Sequence, residues 1–193
     1  MNGLRRWLET AAAWRAASLM FALPTPAVQD ELCRLCETMP GDLAVTPRKF
    51  AGIAVEDWEE EYHRVLGAGG CAACESSYEE NALAGRGPVL AGIAGYYQAF
   101  SYHPENPGSE TPDHLSIETG FLAYLAMKVA FADQAQRGDE KAVALEAYDK
   151  FRDEHPRHWL PRFCEELSPY DSPLFSSAAQ WVLFLTLPVK THS

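Results

Sequence analysis

The chain has 193 residues, 47% of them apolar and 22% charged, which fits one globular domain and excludes a disordered tail, a collagen-like repeat or a Cys-dense scaffold. Sixteen Lys and Arg against 27 Asp and Glu leave a net charge of −11, arguing against a surface built for nucleic-acid phosphates or anionic lipid. A cationic partner fits the balance better.

Arg5-Arg6 before an Ala-rich stretch imitates an export signal, but Glu9 and Arg15 interrupt that stretch and no small-residue cleavage site precedes Pro24 and Pro26. Leu4, Trp7, Leu8, Ala11, Trp14, Ala17, Ser18 and Phe21 recur at helical spacing and predict a first amphipathic helix. The chain is therefore expected in the cytoplasm. No run of 18 apolar residues occurs, so no membrane insertion is expected.

A second helix is predicted from Thr25 as N-cap and Pro26 in the first turn, burying Val28, Leu32, Leu35 and Met39 and stopping before Pro40-Gly41. A third region runs from Thr46-Pro47, with Val55, Trp58, Tyr62 and Val65 on one stripe, to the stop at 67–70. A loop with Cys71 and Cys74 leads to a short helix around 77–83. Leu90, Ile93, Ala94, Tyr97 and Phe100 then share a helical face, with Gly92 and Gly95 placed to let a neighbouring helix approach.

After a Pro- and Gly-rich loop at 101–110, Thr111-Pro112 reads as a cap and first-turn proline for the longest helix, reaching about Arg137. Its stripe is Leu115, Glu118, Leu122, Leu125 and Val129, with His114, Ile117, Phe121 and Tyr124 alongside. Another helix runs from Asp139 to His155-Pro156, where the proline ends it, and a short one from His158 to Leu167. Ser172-Pro173 opens the last, with Leu174, Ala178, Trp181, Val182 and Leu185 as its buried face. No strand-like alternation or long repeat occurs. The expected fold is all-α, a single-domain compact bundle of roughly eight to ten helices over residues 1–193, with a hinge loop at 101–111.

Two CxxC pairs, Cys33/Cys36 and Cys71/Cys74, open a metal argument. Cys33 and Cys36 sit inside a predicted helix, however, where small core residues are the simpler reading. Only Cys71 and Cys74 follow a Gly-rich turn, so a metal-dependent helical enzyme using them is the alternative from a different class, and a permanent structural subunit of a redox complex is a third. Denser chemistry lies in Glu110-Thr111-Pro112-Asp113-His114, with Glu118 one turn after His114. Carboxylates around one imidazole at a helix N-terminus can accept guanidinium donors bidentately, or can serve as a cap with a satisfied His. His155 or His158, in a corner packed by Trp159 and Phe163, could reach that cluster. Neither a Walker-type phosphate loop nor a GxSxG nucleophile turn occurs.

The order CAACESSY (71–78), YYQAF (96–100), ETPDHLSIETGFLAYL (110–125) and HPRHWLPRF (155–163) resembles the TorD/DmsD/NarJ family of redox-enzyme maturation chaperones over about residues 58–187. The resemblance implies a TorD-like helical fold and a cytoplasmic, non-enzymatic chaperone. Such a chaperone binds the N-terminal leader of a molybdopterin-containing catalytic subunit and holds it until cofactor insertion. The family's E-P-x-D-H-type motif falls on Glu110, Pro112, Asp113 and His114, with Thr111 interrupting it. The H-x3-W-x-P-x-F motif falls on His155, Trp159, Pro161 and Phe163. The expected peptide-binding set is Asp113, His114, Glu118 and Glu110 beside Tyr96, Tyr97, Phe100, Phe121 and Leu125. No cofactor or metal is required, although an interaction with guanine nucleotide or the molybdopterin cofactor is open by resemblance. The partners implied are the leader and its subunit, with no nucleic acid, and the chaperone is a monomer or a homodimer.

Overall fold

The computed structural model describes residues 2–79, 85–104 and 110–187. Among these, nine α-helices follow one another: α1 (Asn2–Met20), α2 (Pro26–Thr38), α3 (Val45–Ala51), α4 (Val55–Leu66), α5 (Gly87–Ala99), α6 (Leu115–Gln134), α7 (Gly138–Glu154), α8 (Pro156–Leu167) and α9 (Pro173–Leu185). Single 3-10 turns at Glu75–Ser77 and Ser168–Tyr170 link them. The all-α expectation holds.

Several ends are set by the local chemistry the sequence announces. Thr25 caps α2 by accepting the Val28 N–H, and Ser172 caps α9 by accepting the Phe175 N–H. Pro26 and Pro173 occupy first-turn positions, where no N–H is needed. At the stop after α4, a Cβ on Gly67 would run into the His63 carbonyl and one on Gly70 into the Val65 carbonyl, so this tight turn requires residues without a side chain.

α6 is the axis of the bundle. α1 packs along most of one side of it and α7 along another. By length and composition α6 is the one described helix that could cross a membrane, yet 72% of that apolar window is buried by its neighbours, which makes it a core helix. Two aromatic layers fill the interior. Phe21, Phe50, Trp58, Tyr62, Phe163 and Phe175 form one. Tyr96, Tyr97, Phe100, Tyr102, Phe121 and Phe151 form the other. Trp159 joins them, stacked on Tyr78 and edge-on to Phe163.

Four expectations are corrected. The region after Thr46 is two helices, broken at 52–54. α6 starts at Leu115 and is capped by His114, because residues 111–114 form a turn that pairs with 73–76 and removes Thr111 from the cap. The buried face of α9 is Phe175, Ala178, Ala179 and Val182, with Leu174, Trp181 and Leu185 only half-buried. Gly92 and Gly95 lie on the exposed face of α5, where an added Cβ would meet at most the rim of His155. Of the short helix expected around 77–83, residues 80–83 lie outside the described residues. So does 105–109 of the expected hinge.

Candidate functional site

The 71–79 segment lies against the start of α6 like a short strand. Leu115 N–H donates to Ala73 O (2.8 Å) and Glu75 N–H to Asp113 O (2.9 Å), with a β-bridge between Cys74 and His114. Asp113 is fully buried. Its Oδ2 accepts the Ser76 N–H at 3.1 Å, and its Oδ1 lies 3.5 Å from Arg86 Nη2. Burial raises the Asp113 pKa, but hydrogen bonds from Ser76 and Thr111 and the Arg86 charge outweigh it, so the carboxyl is held below the usual range.

His114 is also buried. Its Nδ1 accepts the Ser116 N–H at 3.3 Å, and a backbone N–H can only donate, so the ring proton sits on Nε2. That nitrogen faces Glu110 Oε2 at 3.6 Å. Burial, opposed by Glu110 and Asp113, lowers the His114 pKa, which keeps the imidazole neutral at neutral pH. Glu110 is further held by the Tyr62 hydroxyl at 3.2 Å and is only half-buried. Tyr97 OH donates to Pro112 O at 3.0 Å.

Glu118 projects from α6 into the interior with no exposed surface. Trp159 Nε1 donates to its Oε2 at 3.1 Å. Beside it lies buried Glu75, whose Oε2 is 2.8 Å from His155 Nδ1. The sequence-predicted cluster is thus assembled, and His155 does reach it, whereas His158 stays exposed. Asp113, His114 and Glu118 are interior groups that pin segments together. Phe121 and Leu125 have no exposed surface and Tyr97 has 7%, so they back the site from the core; Tyr96 and Phe100 are half-buried. Pro161 lies on the exposed face of α8 and Phe163 in the core.

Accessible surface next to this cluster is a groove of about 710 Å3 between α1, α2, the start of α6 and residues 101–104. Leu19, Leu23, Val28, Ile117 and Tyr124 give it apolar walls, and Glu110 and the Arg15–Glu31 pair give it charge. Residues 101–104 close one side where Tyr102 crosses α6: a Cβ on Gly120 would lie 2.8 Å from the Tyr102 hydroxyl. A second groove of about 720 Å3, lined by Phe100, Lys128, Phe131 and Val143, lies on the far side of Tyr124. The α1 and α2 wall was not among the expected site residues, since Leu23 and Glu31 look like ordinary surface positions in a single sequence. Glu75 was missed because an acid in a Gly- and Cys-rich loop reads as solvated.

Cys71 is buried against the Tyr78 hydroxyl, Cys74 faces Thr111, Cys36 is buried in α2 and Cys33 faces Ala51 O. Burial raises the thiol pKa values of Cys36, Cys71 and Cys74, and that of Cys164 to about 11, which disfavours thiolate. Among the described residues no group of three His, Cys, Asp or Glu is disposed to hold a metal ion.

Residues 25–165 match the model of the nitrate reductase delta subunit family. The chain belongs to that family. The chain is 30% identical over 184 residues to the chlorate reductase assembly chaperone protein of Ideonella dechloratans, covering 94% of this chain and 86% of that one. It is 34% identical over 119 residues to the selenate reductase assembly chaperone protein of Thauera selenatis, 61% of each chain. A match to the chaperone protein TorD of Vibrio cholerae, 37% identical over 76 residues, spans 39% of this chain and 33% of TorD. The fold is shared with a redox enzyme maturation protein from Archaeoglobus fulgidus, at a TM-score of 0.60 and 18% identity over 92% of this chain and 94% of that one. This delta-subunit-family membership agrees with the resemblance carried by the 110–125 and 155–163 motifs.

Proposed function

We propose that the protein is a non-catalytic assembly chaperone for the catalytic subunit of a molybdopterin oxidoreductase, retained in the cytoplasm, and that it binds that subunit's N-terminal leader in the α1–α2–α6 groove. The observation that carries this reading is the near full-length similarity to a chlorate reductase assembly chaperone, 94% of this chain against 86% of the relative. The groove is chemically suited to the task. A leader with arginines beside an apolar run needs carboxylates next to apolar surface. Glu110 and Glu31 supply carboxylates on the same cavity as Leu19, Leu23 and Ile117, in a chain of net charge −11. Asp113 and His114 act one step behind, holding Glu110 and the 71–79 segment in place.

Calorimetric titration of the full chain with a synthetic peptide carrying two adjacent arginines followed by an apolar run tests this. Saturable one-to-one binding is expected, weakened about tenfold by Glu110→Gln for the loss of a partly solvated charge-assisted contact. Equal binding of a peptide with both arginines replaced by glutamine would overturn the assignment of Glu110 and Glu31.

A further inference from the structure

The two carboxylates on the α1–α2–α6 groove are not equivalent. Glu31, from α2, is already occupied: Arg15 of α1 donates through Nε to its Oε1 at 2.6 Å and through Nη2 to its Oε2 at 2.9 Å. Two parallel N–H bonds of this kind are the pairing by which a guanidinium recognises a carboxylate. Arg15 and Glu31 both line the cavity. Their side chains are 26% and 34% exposed, so the pair is shielded from bulk water yet within reach of whatever enters the groove.

Glu110, on the same cavity, is held by neutral groups instead. Its Oε1 accepts the Tyr62 hydroxyl at 3.2 Å, and its Oε2 faces Nε2 of His114 at 3.6 Å. Burial keeps that imidazole uncharged at neutral pH and the Tyr62 phenol protonated. Among the described residues no Lys or Arg lies within ion-pair distance of Glu110. Arg15, Glu31 and Glu110 are the Lys, Arg, Asp and Glu side chains among the described residues lining the groove. The first two cancel, and Glu110 is left with the net charge. A leader guanidinium that reaches Glu110 forms a new charge-assisted bond. One that reaches Glu31 must first displace Arg15 and then makes the bonds that Arg15 made, an exchange close to even.

We propose that Arg15 is a specificity-determining residue of this groove: it seats a guanidinium of the chain itself on Glu31, so that the protein gains from one arginine of a leader's pair and not from both. This role rests on leader binding in the α1–α2–α6 groove and adds to it the number of arginines that the groove reads. By holding affinity below what two open carboxylates would give, the internal competitor also eases release of the leader.

Calorimetric titration of the full chain reads this count, using synthetic peptides identical except that their two adjacent arginines are kept, replaced singly by glutamine at either position, or both replaced. In the native protein each singly replaced peptide should bind within about twofold of the diarginine peptide, and the doubly replaced one about tenfold more weakly. Arg15→Gln removes the competitor. The diarginine peptide should then bind about fivefold tighter, the upper end for a partly exposed ion pair that no longer opposes it, and each single replacement should cost about fivefold. Arg15→Gln together with Glu31→Gln removes seat and competitor alike and should return diarginine affinity to within about twofold of native, which mere loosening of the α1–α2 contact would not do. A native protein that loses about fivefold or more with each single replacement overturns the proposal without any variant. Diarginine binding that Arg15→Gln leaves unchanged or weakens, in a protein of native circular dichroism, overturns it too, as does a double variant that binds about tenfold more weakly than native. Binding that ignores both arginines, or no binding by any of these proteins, overturns the leader assignment itself and this role with it.

Discussion

Asp113 separates a structural role from a binding role at the 110–114 motif. Removing its side chain as Asp113→Ala strips the acceptor from the Ser76 N–H (3.1 Å) and leaves that donor facing the interior, a loss of about 1.5 to 3 kcal/mol for a charge-assisted bond. Arg86 lies 3.5 Å away with its side chain 54% exposed, so its ion pair adds at most about 1 kcal/mol. The sum, about 1.5 to 4 kcal/mol, should lower Tm by roughly 3 to 16 °C in a chain of this size. It should also shift the urea midpoint at unchanged m. The Asp113 pKa is held below its usual value. Its contribution is therefore present above the ordinary Asp value, about 3.9, and the gap between native and variant should close as pH falls through the lower folded value. Asp113→Asn keeps an acceptor for Ser76 and should cost less than half as much. Urea unfolding of the three proteins at several pH values, followed by peptide titration of those that fold, provides the measurement. An Asp113→Ala protein of unchanged midpoint that no longer binds peptide would refute the reasoning, since the carboxylate would then be a ligand contact.

Phe121, fully buried among Tyr97, Tyr102 and Phe151, should cost about 3 to 5 kcal/mol as Phe121→Ala, read by urea unfolding. Gly120→Ala should displace Tyr102, whose hydroxyl lies 2.8 Å from the added Cβ, at about 1 to 3 kcal/mol. Because Tyr102 walls the first groove, the same change should alter peptide affinity, and calorimetry at a temperature where the variant is folded will show it. Trp159→Phe removes the donor to Glu118 Oε2 and should destabilise by about 1 to 3 kcal/mol, more than expected from the lost apolar contact alone.

What the sequence announces here is chemistry that acts within a few residues. Thr25 and Ser172 cap helices and the prolines after them fit first turns because those preferences need no tertiary partner. The α6 stripe of Leu115, Glu118, Leu122, Leu125 and Val129 is buried as its spacing predicts. Thr111-Pro112 carries the same local signal as Thr25-Pro26, but the 73–76 segment pairs with 113–115 and moves the cap to His114. The site residues were legible as a cluster and not as a surface. Whether Asp113 and Glu118 face solvent depends on Ser76, 37 residues earlier, and Trp159, 41 residues later. Glu75 gave no local sign of burial, because its partner His155 lies 80 residues away.

Leader capture in the α1–α2–α6 groove is tested most directly by site-specific photo-crosslinking. A photoreactive residue placed at Leu23 or Ile117, in the first groove, or at Val143, in the second, is irradiated with the twin-arginine peptide bound, and the adducts are mapped by mass spectrometry. Adducts from positions 23 and 117, suppressed by excess unlabelled peptide, with none from 143, are the predicted result. Adducts from 143 alone would contradict the account, as would none from any of the three while calorimetry shows binding.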